Sequence, residues 1–284
     1  MFVVGIDAGN YEVKTMGPYG VDRFPSDLGE YRDRRLVQKF THNDMIWEYR
    51  GRKGFAGTLA RFESEFNGSM LGDTKAHTDC LIRALLALHR YAHMDYYRIV
   101  VGQPIGKHID AEKEKIKAML RGRHEITVNG ETKSFTIERV EVAAEAGAAF
   151  WSAPRDGLVH VLDVGSGTVG GATLIDKKYI DRDSFSLSFG ANTTKTYDLE
   201  AMARKIATEA HKWGKNDAVL LAGGIAEEIL PHIRTYFPRA EVLRPLIRRA
   251  DTFEELHPCF ANAVGFYEIG RWRYHEDRAQ ARGV

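Results

Sequence analysis

The chain has 284 residues, with 40 Lys and Arg against 39 Asp and Glu, for a formal net charge of +1. With 44% hydrophobic and 28% charged residues it reads as a soluble α/β protein of about two domains, or of one large α/β unit. So even a charge supplies no field for direct attraction to nucleic acid, and no apolar run nears the ~20 residues of a membrane span.

The opening, MFVVGIDAGN, has no basic leader region and carries an Asp inside its apolar stretch, which argues against a signal peptide. Phe2 to Ile6 is a strand that stops at Asp7-Ala8-Gly9-Asn10, and Tyr11 to Met16 alternates, so the two form a hairpin. A third strand ends near Phe24. Residues 25–75 are rich in Asp, Arg and Gly and read as a small exposed subdomain inserted between sheet elements, its arginines a solvated face or a partner surface. Leu81, Leu85, Leu88 and Tyr91 predict a helix over 78–91, capped by Thr78. His89 and His93 stand four apart at its end, where a metal could sit; no third ligand is evident, and a solvated helix end is the plainer reading. A strand over 98–101 runs to Gly102-Gln103-Pro104, and a charged helix follows from Asp110 to Leu120. Asn129-Gly130 marks a hairpin between 124–128 and 131–142, and Ala143 to Trp151 reads as an Ala-rich helix with Glu145 near its start.

Leu158 to Val164 repeats the opening pattern and ends in Asp163-Val164-Gly165-Ser166-Gly167-Thr168; a returning strand follows over 169–175. Asp198 caps a helix with the stripe Leu199, Met202, Ile206 and Ala210. Ala218 to Leu221 is a buried strand that enters Ala222-Gly223-Gly224 and another helix, and Phe253 to Tyr274 is mostly helical. Cys80 and Cys259, in apolar contexts 179 residues apart, read as buried thiols in a reducing cytoplasm.

The informative feature is internal. Val3 to Asn10 and Val159 to Ser166 match at an offset of 156 residues, each a buried strand ending in Asp-x-Gly-polar. A glycine-rich turn lets backbone N–H groups converge on an anion, since no Cβ holds a phosphate away. An Asp in each turn suits Mg²⁺, which keeps most of its water. A third element, Leu220 to Glu227, places two glycines between a strand and a helix and allows close approach of a base or ribose.

These segments resemble the superfamily of actin, the sugar kinases and the heat-shock chaperone ATPases, and within it the bacterial actin-like ParM/StbA plasmid-segregation proteins. Phosphate-1 is Gly5-Ile6-Asp7-Ala8-Gly9-Asn10 with Lys14; connect-1 covers 140–149; phosphate-2 is 163–168; the adenosine motif is Gly223-Gly224-Ile225-Ala226-Glu227; connect-2 is Asn262-Ala263-Val264-Gly265. The resemblance implies an α/β, actin-like fold (RNase H-like and duplicated) of two domains around a nucleotide cleft. Domain I would be 1–148 with 262–284, and domain II, reduced, 149–261. Gly170 replaces the acidic residue that often closes phosphate-2, and Ile225 the third glycine of the adenosine motif. Only about fifty residues separate Thr168 from the adenosine strand, so the chain resembles the AlfA-like form lacking subdomain IIB.

The implied function is a filament-forming nucleoside triphosphatase that hydrolyses Mg-ATP, or GTP, and moves plasmid DNA through a DNA-binding adaptor, in the cytoplasm and without membrane or direct nucleic-acid contact. A small-molecule kinase and a non-segregation bacterial actin are the alternatives. By the same resemblance Glu145 polarises the attacking water, or else is a helix-start acid; Asp163 holds Mg²⁺ or that water, with Asp7 as the second metal-side carboxylate. Gly9, Asn10, Lys14, Gly165, Ser166, Gly167, Thr168, Gly223, Gly224, Ile225 and Glu227 complete the implied nucleotide site. The stretch Phe189 to Lys195 either lines its ribose side or is a capped loop.

Overall fold

A computed structural model of the chain describes residues 2–36, 39–68, 74–249 and 252–281. The first half runs β1 (Val3–Ala8), β2 (Glu12–Gly17), β3 (Gly20–Pro25), β4 (Leu28–Glu30), β5 (Asp44–Tyr49), β6 (Arg52–Gly57), α1 (Thr58–Glu63), α2 (Thr78–Tyr91), β7 (Tyr96–Gln103), α3 (Asp110–Leu120), β8 (Gly122–Val128) and β9 (Glu131–Ala144). The second runs β10 (Leu158–Val164), β11 (Val169–Ile175), β12 (Lys178–Tyr179), β13 (Phe185–Leu187), α4 (Leu199–Glu209), β14 (Ala218–Gly223), α5 (Ala226–Arg234), β15 (Ala240–Val242), β16 (Leu246–Arg249) and β17 (Thr252–Glu255), before α6 (Ala261–Ala281).

Both halves share one plan. The first sheet begins β3-β2-β1-β7-β9 and the second is β12-β11-β10-β14-β15. In each, antiparallel hairpin strands come first and two parallel strands follow. The register repeats too: Asp7 lies opposite Lys14 as Asp163 lies opposite Gly170. All six residues of β1 are buried because helices cover both faces. The Leu85 and Leu88 side of α2 packs into the core of Val4, Ile6, Ile99 and Val101. On the other face α6 crosses β1 so closely that a Cβ on Gly5 would lie 2.5 Å from the Tyr267 nitrogen. Only glycine fits that crossing.

Four expectations need correction. Residues 143–151 do not form a helix: β9 continues to Ala144, paired in parallel with β7 up to Gln103, and the chain then turns before a 3-10 segment, Ala149–Ser152. Sheet pairing overrides the helix propensity of alanine there. The cap of α2 is His77, whose Nδ1 accepts the Cys80 N–H, rather than Thr78. The closing helix starts at Ala261, and Phe253 belongs to the hairpin β16–β17. The 25–75 stretch is less separate than its polar composition implies, since β5 pairs with β8 and extends the first sheet to nine strands, burying Met45, Trp47 and Phe55. Residues 37–38 and 69–73 of that stretch lie outside the described residues.

His89 is buried, its Nε2 2.9 Å from the Glu131 carbonyl, and among the described residues no group of three His, Cys, Asp or Glu side chains could hold a metal ion. Cys80 and Cys259 are free and buried. Among the described residues no helix is long and apolar enough to cross a membrane.

Candidate functional site

The ends of β1 and β10 meet across a cleft of about 420 Å³. At its floor the turn after β1 faces the turn after β10, close enough that a Cβ on Gly167 would lie 3.1 Å from Asn10 Nδ2. Asp7, Gly9, Asn10, Lys14, Glu145, Asp163, Gly165, Ser166, Gly167, Thr168, Gly223, Gly224 and Ile225 all line the cleft. Glu227 does not. It lies in the first turn of α5, where a carboxylate complements the helix dipole, and pairs with Arg244.

Each turn is braced from behind. The Gly9 carbonyl accepts a 2.5 Å bond from Ser26 Oγ, and the Ser26 carbonyl accepts from Nε of Arg83, a wholly buried arginine of α2. In the second turn the carbonyls of Gly165 and Ser166 accept from the N–H groups of Ala191 and Asn192 at 2.9 and 2.8 Å. Those negative peptide ends are occupied and do not compete with an anion in the cleft. The 190–192 loop packs directly on this turn, since a Cβ on Gly190 would sit 2.7 Å from the Gly167 nitrogen. Gly223, at φ +101°, lets β14 end hard against the Val164 backbone, while Gly224 faces open space. Together with Ile225 and Tyr197 they form one wall of the cleft.

Charge is concentrated at the floor. Lys14 Nζ is 3.7 Å from Asp7 Oδ2. Lys75, just ahead of α2, donates from Nζ to the Ala8 carbonyl at 2.9 Å and stands 3.4 Å from Glu145 Oε1. Gln103, at the end of β7, organises this corner: its Oε1 accepts the Lys75 N–H at 2.8 Å and its carbonyl the Glu145 N–H at 3.0 Å. Burial pushes the Glu145 carboxyl up to about 7, with Asp7 and Asp163 acting in the same direction and Lys75 against it. Burial and Asp7 raise Asp163 to about 6, opposed by the bond from Asn262, whose Nδ2 donates to Asp163 Oδ2 at 2.7 Å. For Lys75 burial works against the charged form, but Glu145 and Asp7 outweigh it and its pKa rises. The result is two carboxylates poised near neutrality beside a retained cation.

Sequence reasoning missed Lys75 and Tyr197 as cleft residues, and Gln103 as the buried residue that organises the corner behind them. Gln103 had a usable signal, as the last residue of a parallel strand, where α/β sheets place their ligands. Lys75 had none: it follows a charged, aperiodic stretch and reaches the cleft only through the tertiary fold.

The family model for the N-terminal domain of actin-like proteins matches residues 5–147. Among solved structures, AlfA from the B. subtilis plasmid pLS32, in its filament, superposes with a TM-score of 0.75 at 20% identity, over 93% of this chain and 97% of its own. Apo pSK41 ParM gives 0.71 at 16% identity, over 97% and 98% of the two chains. The archaeal actin homologue Ta0583, in complex with ADP, gives 0.72 at 21% identity, over 96% and 100%. No curated protein sequence matches the chain. At these identities the structural likenesses show the actin-like fold, and the family match covers the half that carries Asp7, Lys14, Lys75 and Glu145. The chain belongs to the actin-like protein family.

Proposed function

We propose that the chain binds a nucleoside triphosphate with Mg²⁺ in this cleft, hydrolyses it, and couples the cycle to head-to-tail assembly that moves plasmid DNA through a DNA-binding adaptor. One observation carries the reading: two Asp-bearing turns from duplicated halves converge on a single cleft with Glu145 beside them. The neighbours support it, since Ta0583 is solved with ADP and an AlfA filament with AMPPNP. The domain division follows the same lines, 1–148 with 262–284 against a reduced 149–261 that lacks subdomain IIB.

Chemically, the two turns cradle the phosphate chain with main-chain N–H groups, and Lys14 reaches its terminal phosphates. Asp7 and Asp163 are hard oxygen donors, and two of them, with no third acidic or imidazole ligand grouped with them among the described residues, suit an ion held mainly by phosphate and water. When bound, Mg²⁺ neutralises charge on the phosphate oxygens. Glu145 orients the attacking water; a carboxylate raised to about 7 accepts a proton without holding it too weakly or too tightly at neutral pH. Lys75 keeps that carboxylate aimed, and its ammonium faces the charge that develops during transfer. Gly224, Ile225 and Tyr197 receive the base and ribose, and ATP or GTP fits this description alike.

Closure of the halves on nucleotide presents unlike end surfaces, and contact between unlike surfaces propagates into a filament unless its rotation closes a ring. Sedimentation with Mg-ATP, with a slowly hydrolysed analogue and with ADP tests the reading. Pelletable filaments in the triphosphate states are expected. A monomer under every nucleotide condition overturns the assembly claim, and absence of phosphate release overturns the hydrolase claim.

A further inference from the structure

We infer that Asn262 is a positioning residue that sets Glu145 of the first half and Asp163 of the second at a fixed offset, an inference that rests on the nucleotide cleft proposed above. Asn262 lies in the first turn of α6 and is 6% exposed. Its Oδ1 accepts the main-chain N–H of Ala146 at 3.2 Å and its Nδ2 donates to Asp163 Oδ2 at 2.7 Å. The amide cannot be turned round, because an N–H demands the oxygen and a carboxylate demands the NH₂. A single side chain therefore bonds the residue after Glu145 and the carboxylate that faces it from the other half.

Both ends of this bridge are places where position is not self-supporting. Ala146 has φ +61°, a left-handed conformation that is strained for an L-residue and persists only where surroundings hold it. The Glu145 N–H on one side is bound by the Gln103 carbonyl, and the Ala146 N–H on the other by Asn262, so both peptide groups that flank the Glu145 α-carbon are held. Asp163 is a partly buried carboxylate at a strand end, surrounded by Asp7, Lys14, Lys75 and Glu145. The Asn262 amide engages Oδ2 of that carboxylate and not Oδ1. The helix that carries Asn262 is packed hard against the connecting segment at this point: a Cβ on Gly265 would lie 2.7 Å from the Ala148 carbonyl carbon. Glu145 and Asp163 are thus referred to one rigid helix rather than to two independent loops.

A residue needed only to support the Ala146 turn would require an acceptor and nothing more. The donor half of the amide serves Asp163, and the test separates the two functions. Asn262→Asp keeps the shape and an acceptor for Ala146 but presents Asp163 with oxygen in place of N–H; Asn262→Ala removes both bonds. Steady-state hydrolysis and fluorescent-nucleotide affinity are measured for these, for the unmodified chain and for Asp163→Asn, with thermal melts to establish folding; the near-isosteric Asp variant covers the case in which the Ala variant does not fold. The expected result is a ~10–100-fold fall in kcat for both Asn262 variants, at least as large for Asp as for Ala, the size typical when a group that orients a working ligand is removed. KM and affinity should move by no more than about threefold, because the interaction acts on the transition state. Unchanged kcat in Asn262→Asp overturns the inference, as does a parallel loss of affinity and kcat. If the unmodified chain hydrolyses nucleotide while the Asn262 variants match it, only this inference falls; if the unmodified chain does not hydrolyse, the parent reading falls and takes this one with it.

Discussion

The two turns that close on the cleft come from the same plan and do opposite electrostatic work. Opposite Asp7 the returning strand carries Lys14, while opposite Asp163 it carries Gly170, where a Cβ would already stand 3.2 Å from Ala146 Cβ. The first half is braced by a buried arginine and contributes Lys75 as well; the second is braced by neutral backbone from residues 190–192. Duplication gave symmetric scaffolds, and side chains at equivalent positions then divided the labour. The cleft lysines, Lys14 and Lys75, come from the first half, and the second half contributes the carboxylate Asp163. A residue at Gly170 larger than glycine would push on the turn that carries Glu145, so the asymmetry is a steric requirement as well as an electrostatic one.

The sharpest break of this comparison is to remove the lone carboxylate of the second turn. Asp163→Ala should reduce hydrolysis on the order of 10³-fold, read by phosphate release, because no other group in that half replaces it. Glu145→Ala should follow with ~10²-fold lower kcat and nearly unchanged nucleotide affinity, the pattern of a group that acts on the attacking water. Parallel loss of binding would instead make Glu145 a structural acid. Lys14→Ala should weaken triphosphate binding by about tenfold, the equivalent of one charge-assisted hydrogen bond, and weaken diphosphate binding less. Equal loss for both nucleotides would place Lys14 away from the terminal phosphate.

The smallest effect is one of stability. The folded pKa of Glu145 lies above its unfolded value of about 4.5, so the folded chain holds a proton that the unfolded chain has released between about pH 4.5 and 7. Its contribution is intact below that window and lost above it. Glu145→Gln removes the titration, and its gain over the unmodified chain should be absent near pH 4.5 and reach on the order of 1–2 kcal/mol above pH 7 in denaturant melts. A pH-independent difference would show that Lys75 holds Glu145 ionised throughout.

What could be read without the structure followed the strength of the local signal. Val3 to Asn10 and Leu158 to Thr168 are apolar runs cut by Asp-x-Gly turns, and both fold as their pattern implies, with Asn129 at φ +51° and Gly130 at φ +85° forming the hairpin turn expected of that pair. The helix expected over 143–151 failed because alanine propensity is worth tenths of a kcal/mol, while pairing with β7 satisfies a whole strand of backbone groups. β16 and β17 were missed since Arg248, Glu254 and Glu255 hide a two-stranded ribbon under charge. Of the cleft, the glycines and acids that repeat at an offset were legible. Lys75, Gln103 and the bridging role of Asn262 were not, because each acquires its role only from a partner distant in sequence.

The burial of Arg83 has one more consequence. A guanidinium with no solvent exposure is out of reach of mobile counterions, whereas charges on an outer surface lose their influence over about 8–10 Å at physiological ionic strength. Its support of the Gly9 turn through Ser26 should therefore persist in concentrated electrolyte that screens exposed charges. Ionic strength therefore separates two kinds of ion contact in this chain, weakening exposed pairs such as Lys53 with Glu48 while the support beneath the Gly9 turn stays in place.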